Sequence, residues 1–256
     1  VTVESYAIAL DLTGWERGHF ACRTRVRFKT STERTFLELT AARDVSVDCD
    51  ASPLTWTYDG RRIALDGLPV GEPVEVVVRA EVPYVSDGDG MHLMTDPEDG
   101  ETYVSAYLSL DVAQRVFPCF DQPDLKATFD LAVTADPRWT VLANGRVREH
   151  DEAAGRWRFA TTPRICPSLF VVCAGPWHSV TWEHAGLPFG WHARASLAAE
   201  LDRDAEELRR TTTDCFDHYA TLFDQPYPFD SYDQLFGPGH NWGAMETPGC
   251  VTYRDE

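Results

Sequence analysis

Basic residues are scarce in this chain of 256 residues: 23 Lys and Arg face 41 Asp and Glu, for a formal charge of −18. A protein that tracks phosphates needs a basic stripe, and no stretch supplies one, so nucleic acid is not an expected partner. Long apolar runs are missing too. No segment approaches the roughly 18 apolar residues that a membrane-spanning helix requires. The opening Val-Thr-Val-Glu-Ser-Tyr lacks the charged-then-apolar layout of a signal peptide. Cysteine is present but unpatterned: the seven, at 22, 49, 119, 166, 173, 215 and 250, are odd in number and show no CxxC spacing. This argues against a disulfide framework and for a reducing compartment, so a cytoplasmic protein without a membrane span is expected. No nucleophile elbow, phosphate loop or dinucleotide fingerprint occurs.

What is there reads first as β-structure. Phe20, Cys22, Val26 and Phe28 alternate with Arg23, Arg25, Arg27 and Lys29, the period of a half-buried strand. Tyr6, Ile8, Leu10 and Leu12 repeat the pattern, as do Val74, Val76 and Val78. Asp59-Gly60 and Asn144-Gly145 are hairpin dipeptides, predicting turns between 54–58 and 61–65 and between 139–143 and 146–149. The character changes near Pro188. From Ala195 to about Phe223 there is no Gly or Pro, and Leu197, Leu201, Leu208, Cys215, Tyr219 and Leu222 share one helical face. Gln225-Pro-Tyr-Pro ends that helix. A short strand is expected around Gln234–Phe236. The fold class expected is mainly β: an antiparallel saddle or sandwich over 1–187, then the start of an α+β domain over 188–256. The apolar faces of 188–256 are expected to lack cover.

The densest candidate for chemistry is Gly243-Ala244-Met245-Glu246-Thr247-Pro248-Gly249. Glycine lets another backbone approach an edge strand closely, and a carboxylate three residues on can grip a peptide's α-ammonium. On the residues alone, a β-turn carrying an exposed acid is the commoner arrangement. Asp87, Asp89 and Glu98 fall at positions 1, 3 and 12 of a calcium loop, but His92 stands where that loop needs glycine, so an acidic surface loop is expected. Eight Trp residues suggest bulk for sheet packing.

Gly-Ala-Met-Glu-Thr resembles the Gly-Ala-Met-Glu-Asn exopeptidase signature of aminopeptidase N-type gluzincins. Three further stretches resemble that family in the expected order: Gly90-Met-His-Leu-Met-Thr-Asp-Pro-Glu-Asp-Gly-Glu-Thr-Tyr103, Arg115-Val-Phe-Pro-Cys-Phe-Asp-Gln-Pro-Asp-Leu-Lys-Ala-Thr-Phe129 and Tyr227-Pro-Phe-Asp-Ser-Tyr-Asp-Gln234. The resemblance implies the N-terminal, substrate-recognition part of a zinc metallo-aminopeptidase that removes N-terminal residues from peptides, with a thermolysin-like catalytic domain beginning in 188–256. It assigns Gly243, Ala244 and Met245 to the substrate backbone and Glu246 to its amine. Two anchor positions depart from the family: Tyr107 stands where a Gln shapes the first side-chain pocket, and Ser109 where a second Glu grips the amine. The signature's last Asn is Thr247. These departures leave open a catalytically inactive scaffold that binds peptides or a partner protein. The family's zinc motif, His-Glu-x-x-His, is absent: the histidines at 19, 92, 150, 178, 184, 192, 218 and 240 include no pair four apart. The expectation is that 256 residues end before the zinc helix, so that zinc belongs to the full-length parent and this segment alone holds none and is inactive.

Overall fold

The computed structural model describes residues 1–50, 54–239 and 241–255, so that His240 lies outside the described residues. Its strands form four sheets. The largest has seven strands in the order Val147–Asp151, Arg156–Phe159, Thr128–Thr134, Thr2–Asp11, His19–Lys29, Pro73–Pro83 and Arg43–Cys49. The alternation seen in the sequence holds, with Phe20, Val26, Phe28, Val74, Val76 and Val78 all at most 1% exposed. One pairing departs from the antiparallel expectation: Thr2–Asp11 runs parallel to Thr128–Thr134. A parallel neighbour needs a long crossover, and the intervening chain provides one by building most of two other sheets.

Those are a three-stranded sheet (Arg34–Glu38, Arg62–Asp66, Thr55–Tyr58) and a four-stranded sheet (Thr140–Ala143, Val172–Gly175, Thr102–Tyr107, Gly90–Thr95). Asp59-Gly60 forms the predicted hairpin: Tyr58 pairs with Ile63, and Asp59 Oδ1 accepts from the amides of Arg61 and Arg62. Asn144-Gly145 does not. Thr140–Ala143 pairs with Val172–Gly175, whereas Val147–Asp151 pairs with Arg156–Phe159 in the seven-stranded sheet. The dipeptide is a crossing point between sheets, because the Asn144 side chain is taken up by tertiary bonds to the carbonyls of Leu169 and Pro248 and the amide of Val171.

The fourth sheet has the order His178–His184, Leu187–Ala193, Tyr232–Gly237, Cys250–Arg254 and Ala244–Met245. Its three central strands run parallel, and helix α1 (Ala198–Leu222) makes the crossover between the first two of them. Residue 187 is the first of the second strand in a hairpin that starts at His178. The expected strand at 234–236 lies within Tyr232–Gly237.

Three apolar clusters hold these layers. The main core includes the stacked rings of Tyr6 and Phe129 (4.9 Å) and the edge contact of Phe117 with Phe170 (5.0 Å). Each such buried ring contributes roughly 1.5–3 kcal/mol of transfer free energy. A second cluster joins Tyr103, Leu142, Val171, Cys173 and Trp177 to Leu235 and Cys250, so the four- and five-stranded sheets share a core. In the third, Trp191, Ala193 and Leu201 pack with Leu208, Phe236 and Tyr253 beneath α1.

In the second half of α1, Phe216 packs on Phe189, Tyr227 and Tyr232, but beyond it the apolar face has no such cover among the described residues. Tyr219, Leu222 and Phe223 are 54%, 60% and 68% exposed. Between this half-helix and the sheet lies an open groove of about 810 Å³, walled by Phe216, Tyr227, Tyr232 and Phe236. An apolar surface of this kind takes up hydrophobic dyes. Anilinonaphthalene sulfonate should therefore fluoresce on the chain, and Leu222→Glu with Phe223→Glu should cut the signal by about half or more. Leu110→Glu, at a 74% exposed site away from the groove, should leave it unchanged. The reverse result would place the dye elsewhere.

Candidate functional site

Ala244–Met245 is the terminal strand of the five-stranded sheet, pairing antiparallel with Cys250–Arg254 through Ala244 opposite Tyr253 and Met245 opposite Thr252. The Gly243 carbonyl continues the ladder by accepting from Arg254 N at 3.0 Å. The strand's outer side pairs with no strand among the described residues. Gly243 and Ala244 are exposed, and a Cβ built on Gly243 would meet no atom within 4 Å. This is an open edge, able to accept an extended backbone.

The turn after it is firmly tied. Thr247, 2% exposed, donates its hydroxyl to the Cys250 carbonyl, which gives this departure from the signature a role in closing the turn. Gly249 has φ 84°, and a Cβ there would lie 1.8 Å from the Asn144 carbonyl, so only glycine fits. Its amide donates to the Tyr227 hydroxyl at 2.8 Å, while Asn144 donates to the Pro248 carbonyl at 2.8 Å. Glu246 is exposed between the open edge and this anchored turn.

Tyr107 ends the strand Thr102–Tyr107 opposite Gly90 and is 4% exposed. Burial raises its phenol pKa, and the charges of Asp89 and Glu246 raise it further. Tyr107 and Glu246, far apart in sequence, are thus electrostatic neighbours. Ser109, half-buried with φ 41°, follows in left-handed backbone. No hydrogen bond among the described residues joins it to the edge strand.

Sequence reasoning missed how the two loops beside the site meet. Asn241 Nδ2 donates to the Asp87 carbonyl at 2.6 Å, and Gly88 lies directly under the Asn241 side chain. Gly239, with φ 73°, rests against the buried His92 ring, where a Cβ would come within 2.2 Å of Nε2. Arg115 pairs with Asp87 at 2.8 Å, and that bond lowers the Asp87 pKa. The stretch from Asp87 is the acidic surface loop expected, with Asp87 58% exposed, and it also takes part in a junction. Its signal was the density of small residues in Asp87-Gly-Asp-Gly, which permits close approach.

Behind the site, Arg194 bridges two buried carboxylates: Nη1 to Asp96 at 2.8 Å and Nε to Asp255 at 2.6 Å. The three side chains are 13%, 0% and 1% exposed. Ser196 donates its hydroxyl to Asp96 and its amide to Asp99, whose carboxylate also accepts from the Tyr103 hydroxyl at 3.2 Å. Burial pushes the Asp96 pKa up. The Ser196 hydroxyl, the Glu98 amide and Arg194 outweigh it and hold the carboxyl below 3.8.

No metal-holding group of three or more His, Cys, Asp or Glu occurs among the described residues. His178 and His184 each bond an aspartate of α1, Asp202 and Asp217, at 2.7 Å. His192 bridges Ser179 at 2.8 Å and Asp233 at 3.1 Å. These residues do not fit a zinc site.

Residues 92–169 match the Peptidase M1 N-terminal domain. Over its whole length the chain is 40% identical to an Aminopeptidase N of Streptomyces lividans, of which it covers 30%. It is 29% identical over 82% of its length to an Aminopeptidase N of Lactobacillus delbrueckii subsp. lactis, covering 25% of that protein. Over 70% of its length it is 28% identical to a human Glutamyl aminopeptidase, covering 21%. The chain thus spans less than a third of each of these relatives.

Removing Arg194 would strand two buried carboxylates, a loss worth roughly 3–5 kcal/mol. Arg194→Met should lower the urea midpoint accordingly, and Asp96→Asn added to it should cost far less than the sum of the two. Asp96 has a lowered folded pKa, so its contribution is complete above about pH 5 and is lost as pH falls through that pKa. Arg194→Met should therefore flatten the acid side of the stability profile. Additive losses and an unchanged acid limb would refute the network.

Proposed function

We propose, for a chain that carries a Peptidase M1 N-terminal domain and is the N-terminal part of an aminopeptidase of the N type, that it recognises the free amino end of a peptide substrate. The whole protein is then a zinc metallo-aminopeptidase that hydrolyses N-terminal residues from peptides. Zinc would supply an activated water, but no residue set among the described residues fits the metal. The chain's own contribution is capture. Gly243, Ala244 and Met245 hold the substrate backbone along the open edge, Glu246 holds the α-ammonium, and Tyr107 and Ser109 border the first side chain.

The observation that carries this reading is the open edge strand ending on an exposed carboxylate beside the buried Tyr107. Main-chain bonds give such an edge its affinity, while a fixed charge at one end sets direction. We place the boundary between the two parts near residue 187, where the second strand of the hairpin from His178 begins. We also assign the protein to the cytoplasm. The seven cysteines, odd in number and without CxxC spacing, support this. No helix among the described residues is long and apolar enough to cross a membrane.

The test compares a tripeptide with a free amine and its N-acetylated form, titrated into the chain by calorimetry. Hydrogen bonds to charged groups contribute roughly 1.5–3 kcal/mol, so Glu246→Gln should weaken the free peptide about 10- to 150-fold. The acetylated peptide should bind both proteins alike. A free-to-acetylated ratio that Glu246→Gln does not move would rule out amine capture at this position.

A further inference from the structure

We propose that Asp89 is the second carboxylate of the amine site, supplying from another strand the charge that Ser109 lacks. The inference rests on the reading of Glu246 above and names its partner.

Three observations place Asp89 there. The first is register: Gly90 pairs directly with Tyr107, so Asp89 enters the sheet one residue from the position opposite that ring. The second is the junction. Asn241 bonds the Asp87 carbonyl and sits over Gly88, which brings the loop carrying Asp89 against the loop that leads into Gly243. The charges of Asp89 and Glu246 both raise the pKa of the Tyr107 hydroxyl, so both carboxylates lie within electrostatic reach of it.

The third is an unmet bond. Asp89 Oδ1 is enclosed and has no hydrogen-bond partner among the described residues, although its own amide donates to Asp87. Its neighbour Asp87 has Arg115, and the buried Asp96 has Arg194 and Ser196. An enclosed acceptor without a donor is costly, and such exceptions in native proteins call for a functional explanation. The donor that suits it is a cation with several N–H groups that arrives with the ligand. A peptide's α-ammonium has three and can reach two carboxylates at once.

Ser109 is unsuited to the role. A hydroxyl offers no opposite charge, and the left-handed backbone at φ 41° carries the chain away from strand geometry just there.

Asp89→Asn, Asp89→Glu and Glu246→Gln should each be titrated with the free and the acetylated tripeptide, with circular dichroism as the check on folding. Asp89→Asn should weaken the free peptide roughly tenfold or more and leave the acetylated one unchanged. Asp89→Glu, which keeps the charge, should retain most of the preference and covers the case in which the Asn variant fails to fold. If Glu246→Gln shifts the ratio and Asp89→Asn does not, the inference is overturned while amine capture by Glu246 stands. Equal losses for both peptides in Asp89→Asn would overturn it too, since they would mark a purely structural residue. If neither variant shifts the ratio, the underlying reading of the site fails.

Discussion

The arrangement depends on one buried cation. Arg194 leaves the five-stranded sheet just before α1 and finds Asp96 from the four-stranded sheet and Asp255 from the end of Cys250–Arg254. A guanidinium can serve both because its donors are fixed in a planar fork. Taking such charges out of water is expensive, and only complete pairing offsets the loss. The pairing therefore holds in one relative placement of the two sheets. That placement sets Tyr107 and the Asp87–His92 loop beside the open edge at Ala244–Met245.

Apolar contact alone would not specify the placement as sharply. The cluster of Tyr103, Leu142, Val171, Cys173 and Trp177 with Leu235 and Cys250 supplies non-directional attraction between the same sheets. Directional bonds then fix the register, including those of Asn144 to the Leu169 and Pro248 carbonyls. The Gly249 contact with Asn144 leaves no room for a side chain. The end of the chain is thus held on one side by charge and on the other by close backbone approach. The last turns of α1, beyond the His184 bond to Asp217, have no such partner among the described residues, and their rings face an open groove.

Much of this was legible in the sequence where the cause is local. Alternation at Phe20–Phe28 reports a strand because side chains point to opposite faces in turn, and Asp59-Gly60 reports a hairpin because its bonds are made within the turn. Asn144-Gly145 misled for the opposite reason: the same dipeptide spends its Asn on residues 25 and 104 positions away. The helix was legible in extent, but its periodicity could not say which half of the apolar face would be covered. The edge strand was legible through the stretch Gly-Ala-Met-Glu-Thr, where glycine permits close backbone approach. Asp89 was not, since its relation to Tyr107 exists only through strand pairing and the Asn241 contact.

The central claim is that a peptide's amino end is held where the two sheets meet. Mapping amide chemical shifts during titration with a short free-amine peptide tests it most directly. The largest changes are expected to cluster at 88–91, 107 and 243–246, three segments that meet only in the folded chain. Changes confined to 215–227 would instead place the peptide in the apolar groove along α1 and contradict the account.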